Sequence, residues 1–222
     1  MTHDEVMARL ESFGSEKGRA TNARYGGAGE NQFGAKMGDI RALAKEIKSD
    51  QALGLELWTN GNYEAMILAC YIMSAKKFSA DEIDRMQRMV PSKGVSDAFN
   101  TNIVKAHPEK ESLRVKWMAD DNLMAARGGW SLTTERVLKS PDGLDLPALM
   151  DRIEKEMGAA PEPLQWIMNY CLASIGIEFP QYRERAIAIG EKIGAFKDYP
   201  VSKGCVSPFA PIWITEMVSR KG

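Results

Sequence analysis

Asp97 is the carboxylate that this sequence places best for electrostatic catalysis. It closely follows the helix-breaking segment 91–94, so we predict that it lies in the first turn of a helix. The helix dipole stabilises a negative charge at that position, and a fixed carboxylate can offset positive charge that develops on a reacting group. An ordinary helix-terminal charge with no chemical role is the alternative, and the residues alone leave both interpretations open.

Arg127 is a second candidate because it interrupts the largely apolar stretch 123–130. A charged side chain in such surroundings needs a partner or a water-filled groove. A guanidinium group suits both a buried ion pair and a phosphate. The sequence therefore predicts either a structural ion pair or a contact with a phosphate at this position.

Basic residues line one side of a predicted helix at residues 37–48. Its apolar residues follow helical spacing, and Arg41, Lys45 and Lys48 fall on the opposite face at i, i+4 and i+7. Lys36 precedes this helix, at a point where free backbone N–H groups can hold a phosphate. Ordinary helix capping explains the segment before the helix equally well.

Several other chemistries are disfavoured by residue type and spacing. The two histidines and three cysteines are far apart and form no C-x-x-C pair, so we expect neither a metal site nor a disulfide framework. Cys205 has no histidine near it in sequence, which argues against a nucleophilic role. The glycine-rich segment 26–29 follows no predicted strand, so it is not a phosphate loop of the Walker or Rossmann type. We interpret it as a mobile linker.

The pattern along the 222 residues predicts an all-α fold. Breakers recur at short intervals, helical periodicity fills the stretches between them, and the sequence lacks the alternating or β-branched runs typical of strands. Pairs of helices recur at roughly 40 residues, a spacing typical of HEAT-like repeats. We therefore favour a single domain over 1–222, a solenoid of antiparallel helix pairs, over an irregular helical bundle. Residues 1–32 are predicted to form one helix followed by a flexible approach segment.

Composition places the chain among ordinary globular proteins. Hydrophobic residues make up 44% and charged residues 27% of the sequence, and the formal net charge is −1. Any DNA-binding surface must therefore come from the sorting of charges by the fold. No stretch approaches the ~20 apolar residues of a membrane span, and the N-terminus lacks the apolar core of a signal peptide. We expect a cytoplasmic, monomeric protein.

Several segments of the chain resemble the AlkD-type DNA alkylation repair proteins. The resemblance runs from about Phe33 to the end of the chain and is diffuse rather than concentrated in one motif. It is carried by residues 33–47 (FGAKMGDIRALAKEI), 55–58 (LELW), 63–65 (YEA), 96–98 (SDA), 126–128 (ARG) and 203–205 (KGC). It implies a curved stack of HEAT-like helix pairs, an alpha-alpha superhelix, whose concave positive face holds duplex DNA.

The resemblance also implies an activity and a site. Characterised members hydrolyse the N-glycosidic bond of cationic alkylated purines such as 3-methyladenine and 7-methylguanine, without a metal or an organic cofactor. Asp97 matches their catalytic aspartate, and Arg127 matches an arginine at the DNA backbone. Lys93 and Tyr170 stand where these proteins have two tryptophans. The predicted DNA-binding residues are Arg127, Lys93, Tyr170, Lys36, Arg41 and Lys45.

Three functions remain open at this point. The first is a DNA glycosylase that uses the carboxylate of Asp97. The second is a HEAT-like scaffold that binds DNA without catalysis, which Lys93 favours because a lysine offers no aromatic surface. The third is a protein-binding solenoid, supported only by the near-neutral charge. A basic groove that contains Asp97 would keep the first two, whereas an acidic or apolar groove would favour the third.

Overall fold

Every regular element in residues 1–202 and 204–221, the part of the chain that the computed structural model describes, is helical. The prediction of an all-α chain is therefore confirmed. Lys203, within one of the segments that carry the family resemblance, lies outside the described residues. The α-helices of the described part are α1 (His3–Ser12), α2 (Glu16–Thr21), α3 (Met37–Ile47), α4 (Gln51–Asn60), α5 (Tyr63–Ile72), α6 (Ala80–Arg88), α7 (Lys93–Asn102), α8 (Lys110–Met118), α9 (Leu123–Lys139), α10 (Leu146–Glu156), α11 (Glu162–Glu178), α12 (Arg183–Ile193) and α13 (Ala210–Ser219).

The chain divides into two compact units. Unit 1 comprises Met1–Leu113 and unit 2 starts at Arg114, so the division falls inside α8. Each unit has its own buried apolar residues, among them Ile67 in unit 1 and Leu172 in unit 2. The expectation of a single domain over 1–222 stays a prediction.

Helix α5 is the central element of unit 1. It packs against α3, α4 and α7, and nine of its ten residues are buried. A two-residue connection, Gly61 and Asn62, joins it to α4, so the two helices are antiparallel. The Asn62 carboxamide oxygen caps the helix by accepting from the N–H groups of Glu64 and Ala65. The helix ends at Ile72, because Met73 adopts an extended backbone and packs on α4.

Residues 1–32 hold more regular structure than the single helix that we predicted. They form α1, α2 and a π-helical turn at Asn22–Gly26, and Gly26 is buried in that turn. The interpretation of segment 26–29 as a linker is therefore wrong for Gly26. The reason is a tertiary contact, because residues on both sides of this segment donate hydrogen bonds to a buried carboxylate on α5.

That carboxylate belongs to Glu64, which is fully buried. Its Oε1 accepts hydrogen bonds from the Asn22 amide at 2.9 Å, from Gly34 N at 2.7 Å and from Ala35 N at 3.1 Å. Its Oε2 accepts from Phe33 N at 2.9 Å. A buried carboxylate is tolerated when its oxygens are satisfied in this way. Glu64 thus holds the segment before α3 and the π-helical turn against α5.

Helix α11 is the central element of unit 2. It packs against α9, α12 and α13, and its apolar side chains join those of α9, α10, α12 and α13 in the core of the unit. Gly129 of α9 lies close to α8, because a Cβ at this position would stand 2.8 Å from the backbone nitrogen of Met118. The two helices therefore approach each other closely at Gly129.

Among the described residues, none of the helices combines the length and the apolar character that crossing a membrane requires.

The three cysteines differ sharply in exposure, which leads to a first prediction. Cys70 and Cys171 are buried, whereas Cys205 is exposed. Burial raises the pKa of the Cys70 thiol, and it raises the pKa of Cys171 to about 12. Because the thiolate is the reactive form, we expect a chromogenic disulfide reagent at pH 8 to titrate one thiol in the native protein and three after denaturation. Rapid reaction of a second thiol in the native protein would contradict the burial.

Candidate nucleic-acid interface

Two clefts in unit 1 share part of their walls. The first has a volume of about 690 Å³ and the second about 530 Å³. Arg41 and Tyr71 line both of them, together with Asn102. They differ in charge, since the charged side chains of the first are all cations and the second contains a carboxylate. We call them the cationic cleft and the Asp97 cleft.

The cationic cleft gathers four basic side chains. Arg41, Lys45 and Lys48 come from α3 and its C-cap, and Lys76 comes from the 3-10 turn Ala75–Lys77 that follows α5. Of the described residues, no aspartate or glutamate lines this cleft. Within residues 1–202 and 204–221, none of the four cations forms an ion pair with a carboxylate. The sorting of charge that a near-neutral sequence requires for DNA binding is present here.

Arg41 stands between the two clefts and is held by a phenol. Its Nε donates a hydrogen bond to the Tyr71 hydroxyl at 3.2 Å. This bond raises the pKa of the Arg41 guanidinium. The hydrogen bond to Tyr71, which lines both clefts, already restrains the Arg41 side chain. Its remaining guanidinium N–H groups can therefore contact an anion with little further loss of conformational entropy.

Asp97 is the only acidic residue among the described residues that line its cleft, and its side chain is exposed. It lies in α7, which begins at Lys93 after the Ser92 N-cap, so Asp97 is the fifth residue of the helix. The prediction that it occupies the first turn is therefore wrong, because the helix already includes the last two residues of the predicted breaker segment. The helix dipole acts mainly within the first turn. The electrostatic environment of Asp97 is therefore set more by the residues that line its cleft than by the helix terminus.

Tyr63 is a residue of the Asp97 cleft that sequence reasoning missed as a site residue. Its ring is buried, and burial, the charge of Glu64 and the charge of Asp97 together raise the pKa of Tyr63 to about 12. The hydroxyl therefore stays protonated at neutral pH and is a hydrogen-bond donor beside Asp97. It lies directly against the backbones of Gly26 and Gly94, where a Cβ would overlap the phenol oxygen.

This contact gives a second prediction. We expect Gly94→Ala to lower the free energy of unfolding by about 2 kcal/mol, because the new methyl group collides with the Tyr63 hydroxyl. Tyr63→Phe removes the oxygen, so the double variant should lose about 1 kcal/mol less than the sum of the single variants. Urea unfolding followed by circular dichroism measures all three.

The control for that cycle is Gly38→Ala in α3. A Cβ at Gly38 meets nothing within 4 Å, so this change should stabilise the protein by about 0.5–1 kcal/mol, the usual gain when alanine replaces a helical glycine. Strict additivity of Gly94→Ala and Tyr63→Phe would show that the hydroxyl does not occupy the space between the two backbones.

Two further predicted DNA contacts of unit 1 lie at helix starts. Lys93 is the first residue of α7, is partly exposed, and its Cγ would be 3.7 Å from a Cβ at Gly27. Lys36 is the exposed N-cap residue of α3, and its side chain makes no capping hydrogen bond. Neither residue belongs to the linings of the two clefts. Their roles in DNA binding stay predictions.

Arg127 belongs to unit 2 and is buried, with 1% of its surface exposed. Its Nε donates a hydrogen bond to the Pro163 carbonyl oxygen at 3.1 Å. A guanidinium that spends a donor on a backbone carbonyl in the interior fits a structural role better than a phosphate contact. Its contact with DNA stays a prediction.

Tyr170, also in unit 2, is partly exposed on α11. Its ring stacks on Trp213 of α13, with centroids 5.3 Å apart and planes 13° apart. The neighbouring Asn169 is buried and donates to the Pro208 carbonyl oxygen at 2.8 Å, which satisfies the amide as a buried polar group requires. Tyr170 therefore presents an aromatic surface that α13 orients.

Lys76 and Glu64 were also missed by sequence reasoning. Lys76 lies 28 residues or more along the chain from the other three cations of its cleft. A local sequence pattern therefore cannot show that it lies beside them in the fold. Glu64 left a signal, because it is a charged residue in an otherwise apolar helix. Among the described residues, no group of three histidine, cysteine, aspartate or glutamate side chains is placed to hold a metal ion.

The sequence profile of a protein family described as DNA alkylation repair enzyme matches residues 6–198. The chain belongs to this family. The matched range contains both clefts of unit 1 as well as Arg127 and Tyr170. The family resemblance inferred from the sequence is thereby confirmed. No curated protein matches the sequence.

A solved structure shares the fold. It is described as representing a new family of proteins related to the HEAT-like repeat DNA glycosylases, with affinity for branched DNA structures. The match covers 100% of this chain and 95% of that chain, with a TM-score of 0.80 and 24% sequence identity. The alkylation repair family member described here therefore has a HEAT-like helical repeat fold, which confirms the predicted fold class.

Proposed function

We propose that the protein is a DNA glycosylase that hydrolyses the N-glycosidic bond of cationic alkylated purines, such as 3-methyladenine and 7-methylguanine, in duplex DNA. One observation carries the proposal. The exposed carboxylate of Asp97 lies in a cleft that shares Arg41 with a cleft whose described lining has four cations and no carboxylate. The cations can bind the phosphates of DNA, and the single carboxylate can stabilise a sugar that becomes positively charged.

The proposed reaction needs a fixed negative charge and a bound water more than it needs an acid. An alkylated purine is already cationic, so when the bond from sugar C1′ to the base nitrogen breaks, the electron pair leaves with the base and neutralises it. Positive charge then grows on the sugar, and the carboxylate of Asp97 offsets that charge. A water that donates a hydrogen bond to the Asp97 carboxylate adds its oxygen to C1′ and passes the proton through that carboxylate to the solvent. The products are the free base and an abasic site.

In this proposal, basic residues of unit 1 bind the DNA and orient it. Arg41 and Lys45 contact phosphates from the cationic cleft, while Lys36 and Lys93 contact phosphates from the starts of their helices. In unit 2, the partly exposed ring of Tyr170 contacts the DNA. Because the phosphate contacts are electrostatic, the affinity should fall steeply with salt.

A second function is favoured by two observations. Lys93 and Tyr170 replace the two tryptophans that the sequence resemblance leads one to expect, and the structural neighbour with 24% identity is described as having affinity for branched DNA. The alternative is a protein that binds branched DNA and releases no base. It uses the same cations but gives Asp97 no chemical role.

A base-release assay on alkylated duplex DNA separates the two functions. The glycosylase proposal expects purified protein to release 7-methylguanine well above the spontaneous rate. Release at the spontaneous rate, together with tighter binding of a four-way junction than of a duplex of equal length, would support the alternative instead.

A further inference from the structure

We propose that the cationic cleft is a binding site for a phosphodiester of the DNA backbone next to the damaged nucleotide, and that Lys48 and Lys76 are binding residues of this site. The identification of DNA as the ligand rests on the proposed function. Neither lysine is among the DNA contacts predicted from the sequence. The proposal therefore assigns them a role from their position in the fold alone.

The charges of the cationic cleft favour a bound anion. Four cations without carboxylate partners among the described residues line one cleft of about 690 Å³, and like charges held together repel one another. Ser49, Ser74 and Asn102 also line the cleft, and their neutral side chains can donate hydrogen bonds. An anion relieves the repulsion and accepts from these donors. A phosphodiester combines a negative charge with two exposed acceptor oxygens, so it suits both features.

The backbone of Lys48 is strained. This residue is the C-cap of α3 and has φ 68° and ψ −132°, a conformation that glycine adopts easily and lysine does not. Two other helices of the same chain, α4 and α12, end on glycines with positive φ, Gly61 and Gly194. At the end of α3 the chain instead tolerates strain and carries a long cationic side chain into the cleft. A need for that side chain explains the exception.

The wall that the two clefts share places the phosphate beside the sugar. Arg41 and Tyr71 line the cationic cleft and the Asp97 cleft alike. A phosphodiester bound in one cleft therefore lies beside the nucleotide whose sugar faces Asp97 in the other. The cationic cleft would set the register of the DNA along the site, which is the task of phosphate contacts in most protein–DNA complexes.

The test begins with Lys48→Ala, Lys76→Ala and the double variant, measured by fluorescence anisotropy on unmodified duplex DNA between 50 and 200 mM salt. The slope of log K against log salt falls by about 0.9 for each phosphate that is no longer neutralised by a cation, so we expect the double variant to bind several-fold more weakly and with a flatter slope. Lys77→Ala is the matched control, since Lys77 lies in the same 3-10 turn, is exposed and is outside the cleft lining. It should change the affinity less than twofold.

Lys48→Gly separates the charge from the backbone strain. Glycine removes the cation and also relieves the positive φ, so we expect this variant to melt at a higher temperature than the wild type while it binds DNA as weakly as Lys48→Ala. A general loss of structure cannot produce that combination. Lower thermal stability together with unchanged affinity would overturn the role of Lys48.

A neutral DNA linkage tests the partner of the two lysines. A single methylphosphonate placed next to a 7-methylguanine should weaken binding by the wild type about as much as the double lysine variant weakens binding to normal DNA. The double variant should lose little more on the modified DNA. Equal losses by both proteins at every linkage scanned, or wild-type affinity in the double variant, would overturn the site. Neither result would affect base release by the wild-type protein. The glycosylase proposal is therefore tested independently of the phosphodiester site.

Discussion

Asp97→Asn is expected to slow the release of 7-methylguanine from alkylated duplex DNA by about 100-fold or more. Asparagine keeps the size of the side chain but removes the negative charge that offsets the developing charge of the sugar. Asp97 is exposed in its cleft, so the substitution should leave the fold intact. Affinity for unmodified DNA should stay within a few-fold of the wild type, since the phosphates contact the cations. The released base is quantified by liquid chromatography under single-turnover conditions.

The matched control for this experiment is Asp81→Asn. Asp81 is an exposed carboxylate of unit 1 in the first turn of α6 and lies outside both cleft linings. Its loss should leave base release unchanged, so a general effect of net charge is excluded. Equal release by Asp97→Asn and the wild type would remove this carboxylate from the mechanism. A wild type that binds DNA but releases no base would leave the branched-DNA alternative.

Glu64→Ala is expected to have the largest effect on stability. The change leaves the N–H groups of residues 33–35 and the amide of Asn22 without their acceptor and opens a cavity in α5. We expect the free energy of unfolding to fall by about 4 kcal/mol, because buried donors without partners and lost bonds to a charged group each cost on the order of 1–3 kcal/mol. Urea unfolding monitored by circular dichroism gives the value.

Two variants show whether the carboxylate itself matters. Glu64→Gln keeps the volume but replaces one acceptor oxygen by a donor, so we expect a loss of about 2 kcal/mol. Glu56→Ala changes an exposed residue of the neighbouring helix α4 and should stay within about 0.5 kcal/mol of the wild type. If Glu64→Ala were as mild as Glu56→Ala, the hydrogen bonds of Glu64 would not be what orders residues 22–35.

Local rules predicted the helices of this chain well. Helix α3 begins and ends within one residue of the segment 37–48 expected from periodicity, and α6 starts after Ser79 with a capping box of the usual sequence spacing. There Glu82 N donates to Ser79 Oγ at 3.3 Å, and Ser79 N donates to the Glu82 carboxylate at 2.8 Å. These features depend on residues three or four positions apart. For that reason they can be recognised in the sequence.

The same rules failed where distant residues decide the local structure. Segment 26–29 contains three glycines and was interpreted as a linker, yet Gly26 lies in a π-helical turn against Tyr63, 37 residues further on. Arg127 left two alternatives open, and its burial against the Pro163 carbonyl favours the structural one. In both cases the partner lies on another helix, and spacing along the chain does not report it.

The sequence by itself determined the helical class, the bounds of α3 and the stripe of cations on it, because each of these is written in residue types at short spacing. A diffuse resemblance over many segments indicated the family to which the chain belongs. Only the tertiary structure decided that Lys76 joins the stripe in one cleft, that the cleft of Asp97 shares Arg41 with it, and that a buried glutamate orders the N-terminal segment. The reason is that these arrangements come from the packing of α3, α5 and α7, which brings together residues about 30 or more positions apart.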